Sequence, residues 1–334
     1  MRAAVVCALV SATILGVVSA DVHARAARRG RPRRPQAALR TPPSEITVPA
    51  STRLLVVAPH PDDETLGAGG LIQRVRSNGG VVKIVYLTDG DGYPEGVKVE
   101  DHVESPTTKD YRGYGRQRRH EAVAALRALG LDSSAATFLG FPDGGLCQLM
   151  RRYWSEKRGA YRSPYTRLDR PPKSEMIVPN SEYRGEDLTQ ELAQIIGEFQ
   201  PTLILVPRKE DQHSDHCAAW FFVADALTDV RRVHPEYTTD VLNYIVHYNA
   251  WPFTDDRPDL EPPSGLRGGA SGWMRLALTP DEIRTKRKAL GRYDTQMKVM
   301  DWFLKAFGRT SEVFSRPADI RVTLPTRGSP CCDQ

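Results

Sequence analysis

The chain has 334 residues, 40% of them apolar and 26% charged, the balance of a soluble globular protein long enough to bury a large core in one or two domains. Its formal charge of +5 comes from one end. The first 40 residues hold eight Arg against a single acid, Asp21, leaving 38 basic and 40 acidic side chains in residues 41–334, so the charge pattern gives no case for nucleic acid as a partner.

Met1-Arg2 and the uncharged run Ala3 to Ala20 resemble a secretory signal, with small residues suited to cleavage after Ala20 or Ala24. Residues 1–24 are therefore expected to be a signal peptide or, if uncleaved, a membrane anchor, since the run approaches the length of a span. The cluster Arg25, Arg28, Arg29, Arg31, Arg33 and Arg34 opposes export by the positive-inside tendency. Export to the periplasm, cell surface or medium is nonetheless the expectation, with a membrane partner only if the segment stays attached. Residues 25–49, rich in Arg, Pro and Ala, read as a tether, and 326–334 as a tail. Cys7 would leave with the signal; Cys147, Cys217 and the vicinal Cys331-Cys332 have neither zinc-finger spacing nor scaffold density, and are expected to be incidental.

The folded part, residues 50–325, opens with a buried strand, Arg53 to Ala58, and a helix from Glu64 to Arg76. Gly67, Gly69 and Gly70 permit close backbone approach in that helix. They do not make a dinucleotide fingerprint, because Ile72 stands where its third glycine belongs. A strand from Val81 to Leu87 follows, ending in Thr88-Asp89-Gly90-Asp91-Gly92. A helix from Arg116 to Leu129 closes at Gly130, and a short strand from Thr137 to Phe141 runs into Pro142-Asp143-Gly144-Gly145.

Leu188 to Phe199 is helical, Thr202 to Val206 a strand, Asp215 to Val230 a helix and Val241 to Tyr248 a strand. One long helix is expected from Thr279 to Phe307, opened by a capping Thr, Pro280 and two acids. This alternation predicts an α/β fold: a doubly wound, mostly parallel sheet flanked by helices, Rossmann-like, in a single domain with long loop insertions. The insertions are Leu146 to Tyr183, rich in Arg, Pro and aromatics, and Trp251 to Trp273. The first leaves from the edge expected to be active. It is either a substrate cover or a surface excursion packed by its own rings.

Two clusters carry the chemistry. His60-Pro61-Asp62-Asp63-Glu64 follows the first strand, and Asp211-Gln212-His213-Ser214-Asp215-His216 follows the strand at 202–206. Strand ends of an α/β sheet bring such groups to one edge. His60 and Asp63 can share one cation, which leaves Asp62 to face water. His213 and His216, three apart at a helix start, share a face, and either can supply the third ligand. Three nitrogen or oxygen ligands with one open position describe a catalytic zinc site.

These residues resemble the LmbE-like zinc de-N-acetylases, the GlcNAc-phosphatidylinositol de-N-acetylase family. The signature [AG]-H-[PA]-D-D-E is matched by residues 59–64, with Pro59 as a departure, and P-x-x-x-D-x-H-P-D-H by residues 207–216, with Ser214 as another. Further matches are Arg118-x-x-Glu121-Ala122, Leu139 to Gly145, Lys288-Ala289-Leu290-x-x-Tyr293-x-Thr295-Gln296 and Glu312-x-Phe314, in order across residues 53–316.

The resemblance implies that His60, Asp63 and His216 bind one zinc ion per chain, other divalent metals being possible, and that Asp62 is the general base. It implies that His213, protonated and oriented by Asp215, stabilises the oxyanion, while Arg118 and Asp143 hold the sugar. The activity implied is removal of an N-acetyl or similar small acyl group from a GlcNAc-type sugar in a glycan, glycolipid or glycosylated metabolite. The alternatives are a zinc amidase for a non-sugar N-acyl compound and a metal-containing carbohydrate-binding protein. A structural zinc closed by four ligands would have no need of Asp62.

Overall fold

The structure, a computed structural model of the chain, describes residues 43–253, 257–266 and 272–317. The apolar run, the Arg cluster, Cys7, Cys331 and Cys332 lie outside the described residues. In chain order the elements are β1 (Ser44–Glu45), β2 (Arg53–Ala58), α1 (Asp63–Ser77), β3 (Val81–Thr88), α2 (Pro94–Asp101), α3 (Thr108–Ala128), β4 (Ala136–Phe141), α4 (Leu146–Arg151), α5 (Gly185–Phe199), β5 (Leu203–Pro207), α6 (Ser214–Val233), β6 (Asp240–Tyr244), β7 (Trp273–Ala277), α7 (Pro280–Leu290), α8 (Asp294–Ala306) and β8 (Ser311–Ser315). Among the described residues no helix is long and apolar enough to cross a membrane.

They form one eight-stranded sheet of order β1-β7-β8-β6-β5-β2-β3-β4. β6, β5, β2, β3 and β4 run parallel, and β8 joins antiparallel to β6 and β7. From β2 the chain moves to β3 on one side and later to β5 on the other. The strand order thus reverses at the C-terminal ends of β2 and β5, the crevice where open α/β sheets bind ligands. Both sequence clusters sit there.

β2 shows why the sheet is buried on two faces. Leu54, Val56 and Ala58 enter a core with α1 and α3, while Leu55 and Val57 enter a second core with α5 and α6. A helix on each face of a continuous apolar strand is the doubly wound arrangement. α1 lies very close to the sheet: a Cβ on Gly67 would stand 2.4 Å from the Tyr244 ring. Its glycines serve that approach.

Three expectations are corrected. The helix at 116–129 begins eight residues earlier, at Thr108, where Thr107 and Asp110 form a capping box. The long helix at 279–307 is two, because Tyr293 turns inward between them and donates its hydroxyl to the buried Glu64 carboxylate. Ser44–Glu45, within the stretch read as a tether, pairs with Met274 and Arg275.

A buried ion pair braces α1 from β8 and α7. Glu312 accepts N–H bonds from Gly70 (2.7 Å) and Leu71 (2.9 Å), and Lys286 donates to Glu312 (2.7 Å) and to the Leu66 carbonyl (2.9 Å). Glu312→Ala would strand the Lys286 charge in the core, at an expected cost of about 3–5 kcal/mol in urea unfolding. The double variant Lys286→Met/Glu312→Leu should lose less; an equal loss would show that charge is not the cause.

Candidate metal centre and active site

The β2–α1 turn is tied down before it reaches the crevice. Thr88, at the end of β3, donates its N–H (3.0 Å) and Oγ1 (2.9 Å) to the Pro59 carbonyl. Asp62 then takes φ 136°, a conformation that L side chains rarely adopt and that costs on the order of 1–3 kcal/mol. Its carbonyl accepts from Thr65 (3.0 Å) and Leu66 (2.9 Å), its N–H donates to Glu64 Oε2 (3.3 Å), and Arg118 Nη2 meets its carboxylate at 3.1 Å.

On the β5 side, His213 stands at the N-terminus of α6, and Asp215 and His216 occupy its first turn. Three buried or nearly buried atoms meet across the crevice. His60 Nδ1 and Asp63 Oδ2 are 3.3 Å apart, His216 Nε2 and Asp63 Oδ2 3.2 Å, and His216 Nε2 and His60 Nδ1 3.3 Å. A tetrahedral zinc with bonds of about 2.0–2.1 Å sets its ligands roughly 3.3–3.4 Å apart. The triangle fits that ion.

The far nitrogen of each ring faces a carboxylate. His60 Nε2 lies 3.2 Å from Asp143 and 3.4 Å from Asp215, and His216 Nδ1 lies 3.3 Å from Asp211. Both nitrogens are buried without a well-aligned hydrogen-bond partner. Carboxylates behind metal-binding imidazoles fix ring orientation and raise basicity. Burial alone would lower the His216 pKa, but Asp63 and Asp211 outweigh it and push it up to about 10. His60 is likewise raised, burial being outweighed by Asp143, Asp215 and Asp63. Burial raises Asp62 to about 7 against the pull of Arg118.

Asp215, His213, Asp143 and Arg118, the other residues expected at the site, each make contacts within the protein. Asp215 does not orient His213 with its carboxylate, which accepts N–H bonds from Gly144 (2.8 Å) and Leu146 (3.0 Å) and faces His60. Its backbone N–H instead donates to His213 Nδ1 at 3.3 Å. That leaves the His213 proton on Nε2, and burial, then His60, His216 and His247, hold its pKa well below the usual value. Asp143 and Arg118 both line the cavity, but their polar atoms serve the protein first. Asp143 takes the Gly92 N–H (2.6 Å) and faces His60, and Arg118 donates to the Gly90 (2.9 Å) and Pro61 (2.7 Å) carbonyls as well as to Asp62. Gly90 has to be glycine: its φ is +65°, and a Cβ there would stand 1.9 Å from Arg118.

Two residues had no assigned role. Asp211, whose carboxylate also accepts from His213, Val246 and His247 N–H groups, backs His216 from inside the second motif. His247 follows β6, its ring 4.9 Å from His216 and 5.4 Å from His213, with no motif to mark it. The triangle opens into a cavity of about 240 Å³, where Leu66, Tyr93, His247, Gln296, Met300 and Phe303 complete the lining.

No residue of the stretch 146–183 is among the cavity's lining residues. Its Trp154 stacks on Phe222 and Tyr183 donates to the Gly140 carbonyl (2.8 Å), so these rings fasten the stretch to α6 and β4. Tyr165 alone approaches Gly92 and Gly144 at the rim. Cys147 and Cys217 are not incidental: both are disulfide-bonded, each directly following a residue of the site, Leu146 and His216.

The family model for PIG-L, GlcNAc-PI de-N-acetylase, matches residues 55–227, just over half of the chain. A 1D-myo-inositol 2-acetamido-2-deoxy-alpha-D-glucopyranoside deacetylase of Mycobacterium leprae is 29% identical over 177 residues, 52% of this chain and 50% of that protein. The protein of the same name from Mycobacterium bovis is 41% identical over 88 residues, 26% of this chain and 27% of its own length. The chain thus spans about half or less of the length of these curated relatives. Among solved structures, N,N'-diacetylchitobiose deacetylase from Pyrococcus horikoshii aligns with a TM-score of 0.46 at 17% identity, covering 79% of this chain and 83% of that one. With both signature clusters inside the matched segment, the chain belongs to the PIG-L, GlcNAc-PI de-N-acetylase, family.

Proposed function

We propose that the protein is an exported zinc-dependent N-deacetylase that removes an acetyl or similar small acyl group from the amine of a GlcNAc-type sugar in a glycan, glycolipid or glycosylated metabolite. The observation that carries this is the triangle of His60, Asp63 and His216 beside a buried carboxylate, Asp62, that is not part of it. His60, Asp63 and His216 would hold the ion. Zinc there supplies Lewis acidity, polarising an amide carbonyl and lowering the pKa of water to about 7.

Asp62, with its pKa near 7, accepts the proton of the attacking water and passes it to the departing amine as the C–N bond breaks. His213 donates its Nε2 proton in a hydrogen bond to the carbonyl oxygen as that oxygen gains charge. The family match and the deacetylase names of the relatives support an N-acetyl sugar as substrate.

The test is acetate release by the purified protein from a panel of N-acetylated sugars and N-acyl amino acids. Release from the sugars should stop on chelation and return with zinc. Cleavage of the amino-acid amides alone would overturn the sugar assignment.

Export rests on the apolar run Ala3 to Ala20, and two disulfide-bonded cysteines support it, since such bonds persist in oxidising compartments. In its native host the mature chain is expected to begin at Asp21 or Arg25, outside the cytoplasm. N-terminal sequencing checks this, and soluble cytoplasmic protein starting at Met1 would refute it.

A further inference from the structure

We infer that the sugar accepted here is uncharged at the two oxygens flanking its amide-bearing carbon, O1 and O3: a neutral glycoside, not a glycosyl phosphate or a ring carrying a carboxylate ether. The inference rests on the deacetylase reading and narrows the substrate class within it.

The charges around the cavity run one way. Asp62, Asp63 and Asp143 line it, while Asp211 and Asp215 stand behind His216 and His60, and all five side chains are buried. Arg118 is the one Lys or Arg among the described residues that line the cavity. A divalent cation in the triangle and the Arg118 guanidinium together bring three positive charges against five carboxylates. The balance stays negative even with a proton on Asp62.

The donors best suited to an anion are already engaged. Arg118 donates to the Gly90 and Pro61 carbonyls and to the Asp62 carboxylate, and its Nε is buried. Backbone N–H groups at strand ends and helix starts commonly hold a phosphate. In this crevice the protein's own carboxylates take them: Asp143 accepts from Gly92, and Asp215 from Gly144 and Leu146. Tyr93 and Gln296, which also line the cavity, are neutral and suit hydroxyl groups.

The sugar's own geometry says which positions matter. Its amide is on C2 and has to reach the triangle of His60, Asp63 and His216. O1 and O3 sit on the two neighbouring carbons, so both enter the cavity of about 240 Å³ with it. An anion on either oxygen would leave water to stand beside like charge without a partner. O6, on the far side of the ring, is not so constrained.

The experiment compares kcat/KM within matched pairs, using the zinc-loaded protein. One pair is N-acetylmuramic acid and its methyl ester, alike in shape and different in charge; the other is N-acetylglucosamine 1-phosphate and the methyl glycoside. The neutral member should exceed the charged one by about a hundredfold, chiefly through KM, the scale of an uncompensated like charge. Asp143→Asn removes one of the charges and should narrow each ratio severalfold, whereas a purely structural loss would lower both members alike. Rates within a few-fold of each other, or ratios that Asp143→Asn leaves unmoved, would overturn the inference and leave the deacetylase reading intact. If the O3 ether bars both muramic compounds, the glycoside pair decides alone. No acetate from any neutral sugar would overturn both.

Discussion

Replacing Asp62 by Asn is expected to leave the metal bound and remove nearly all amide hydrolysis. The amide oxygen can still accept from Arg118, which donates to the native carboxylate at 3.1 Å. Asn also tolerates the positive φ of this position better than most residues. The local fold should therefore survive, and the lost capacity is proton acceptance. A positioned general base contributes about 10²–10⁴ in rate. Zinc content by elemental analysis and acetate release on one preparation separate the two effects. Activity within a few-fold of the parent would remove Asp62 from the mechanism; loss of zinc would make it a ligand.

Alanine at His60, Asp63 or His216 is expected to empty the centre, because each removes one corner of the 3.2–3.3 Å triangle. Asp211→Asn should act differently. Its carboxylate backs His216 from 3.3 Å without joining the triangle, so zinc affinity should fall by about 10–100-fold and not vanish. Competition with a chelator of known affinity reads both. Full occupancy in all three alanine variants would refute the ligand set, and an unchanged affinity in Asp211→Asn would refute the support assigned to it.

The same centre has a proton signature. With its pKa at about 10, His216 carries a proton on each nitrogen at pH 7 when no cation is present, and a cation must displace the one on Nε2. Zinc uptake at pH 7 should then release at least one proton, and affinity should fall as the pH is lowered. Calorimetry in buffers of different ionisation enthalpy measures the release; uptake with none would mean that the ring is neutral beforehand.

Much of this centre is legible in the chain itself. Apolar runs of strand length ending in His60 to Asp63 and preceding His213 to His216 place both clusters at strand ends, because a strand buried on both faces has to be continuously apolar. The α/β alternation follows from the same periodicity. The polar first half of α3 is silent by contrast. Its segment Thr108 to Gly115 has no apolar stripe, and it is helical because Tyr114 is buried and Gly115 packs on the Asp89 and Asp91 side chains.

What the tertiary structure alone decided is which atom faces which. Spacing shows that Asp143, Asp211 and Asp215 belong near the site, but a carboxylate's direction is set by the N–H groups it finds. Gly144 and Leu146 turn Asp215 towards His60, while Val246 and His247 turn Asp211 towards His216. The break between α7 and α8 has the same origin: the pattern is helical throughout, and Tyr293 interrupts it to reach Glu64 from the far end of the chain. His247 and Phe303 of α8 meet the centre only through folding, since no local period relates residues 60, 216, 247 and 303. Sequence determines the inventory and the strand-end placement through local periodicity. Long-range hydrogen bonds, which local periodicity does not encode, assign the roles.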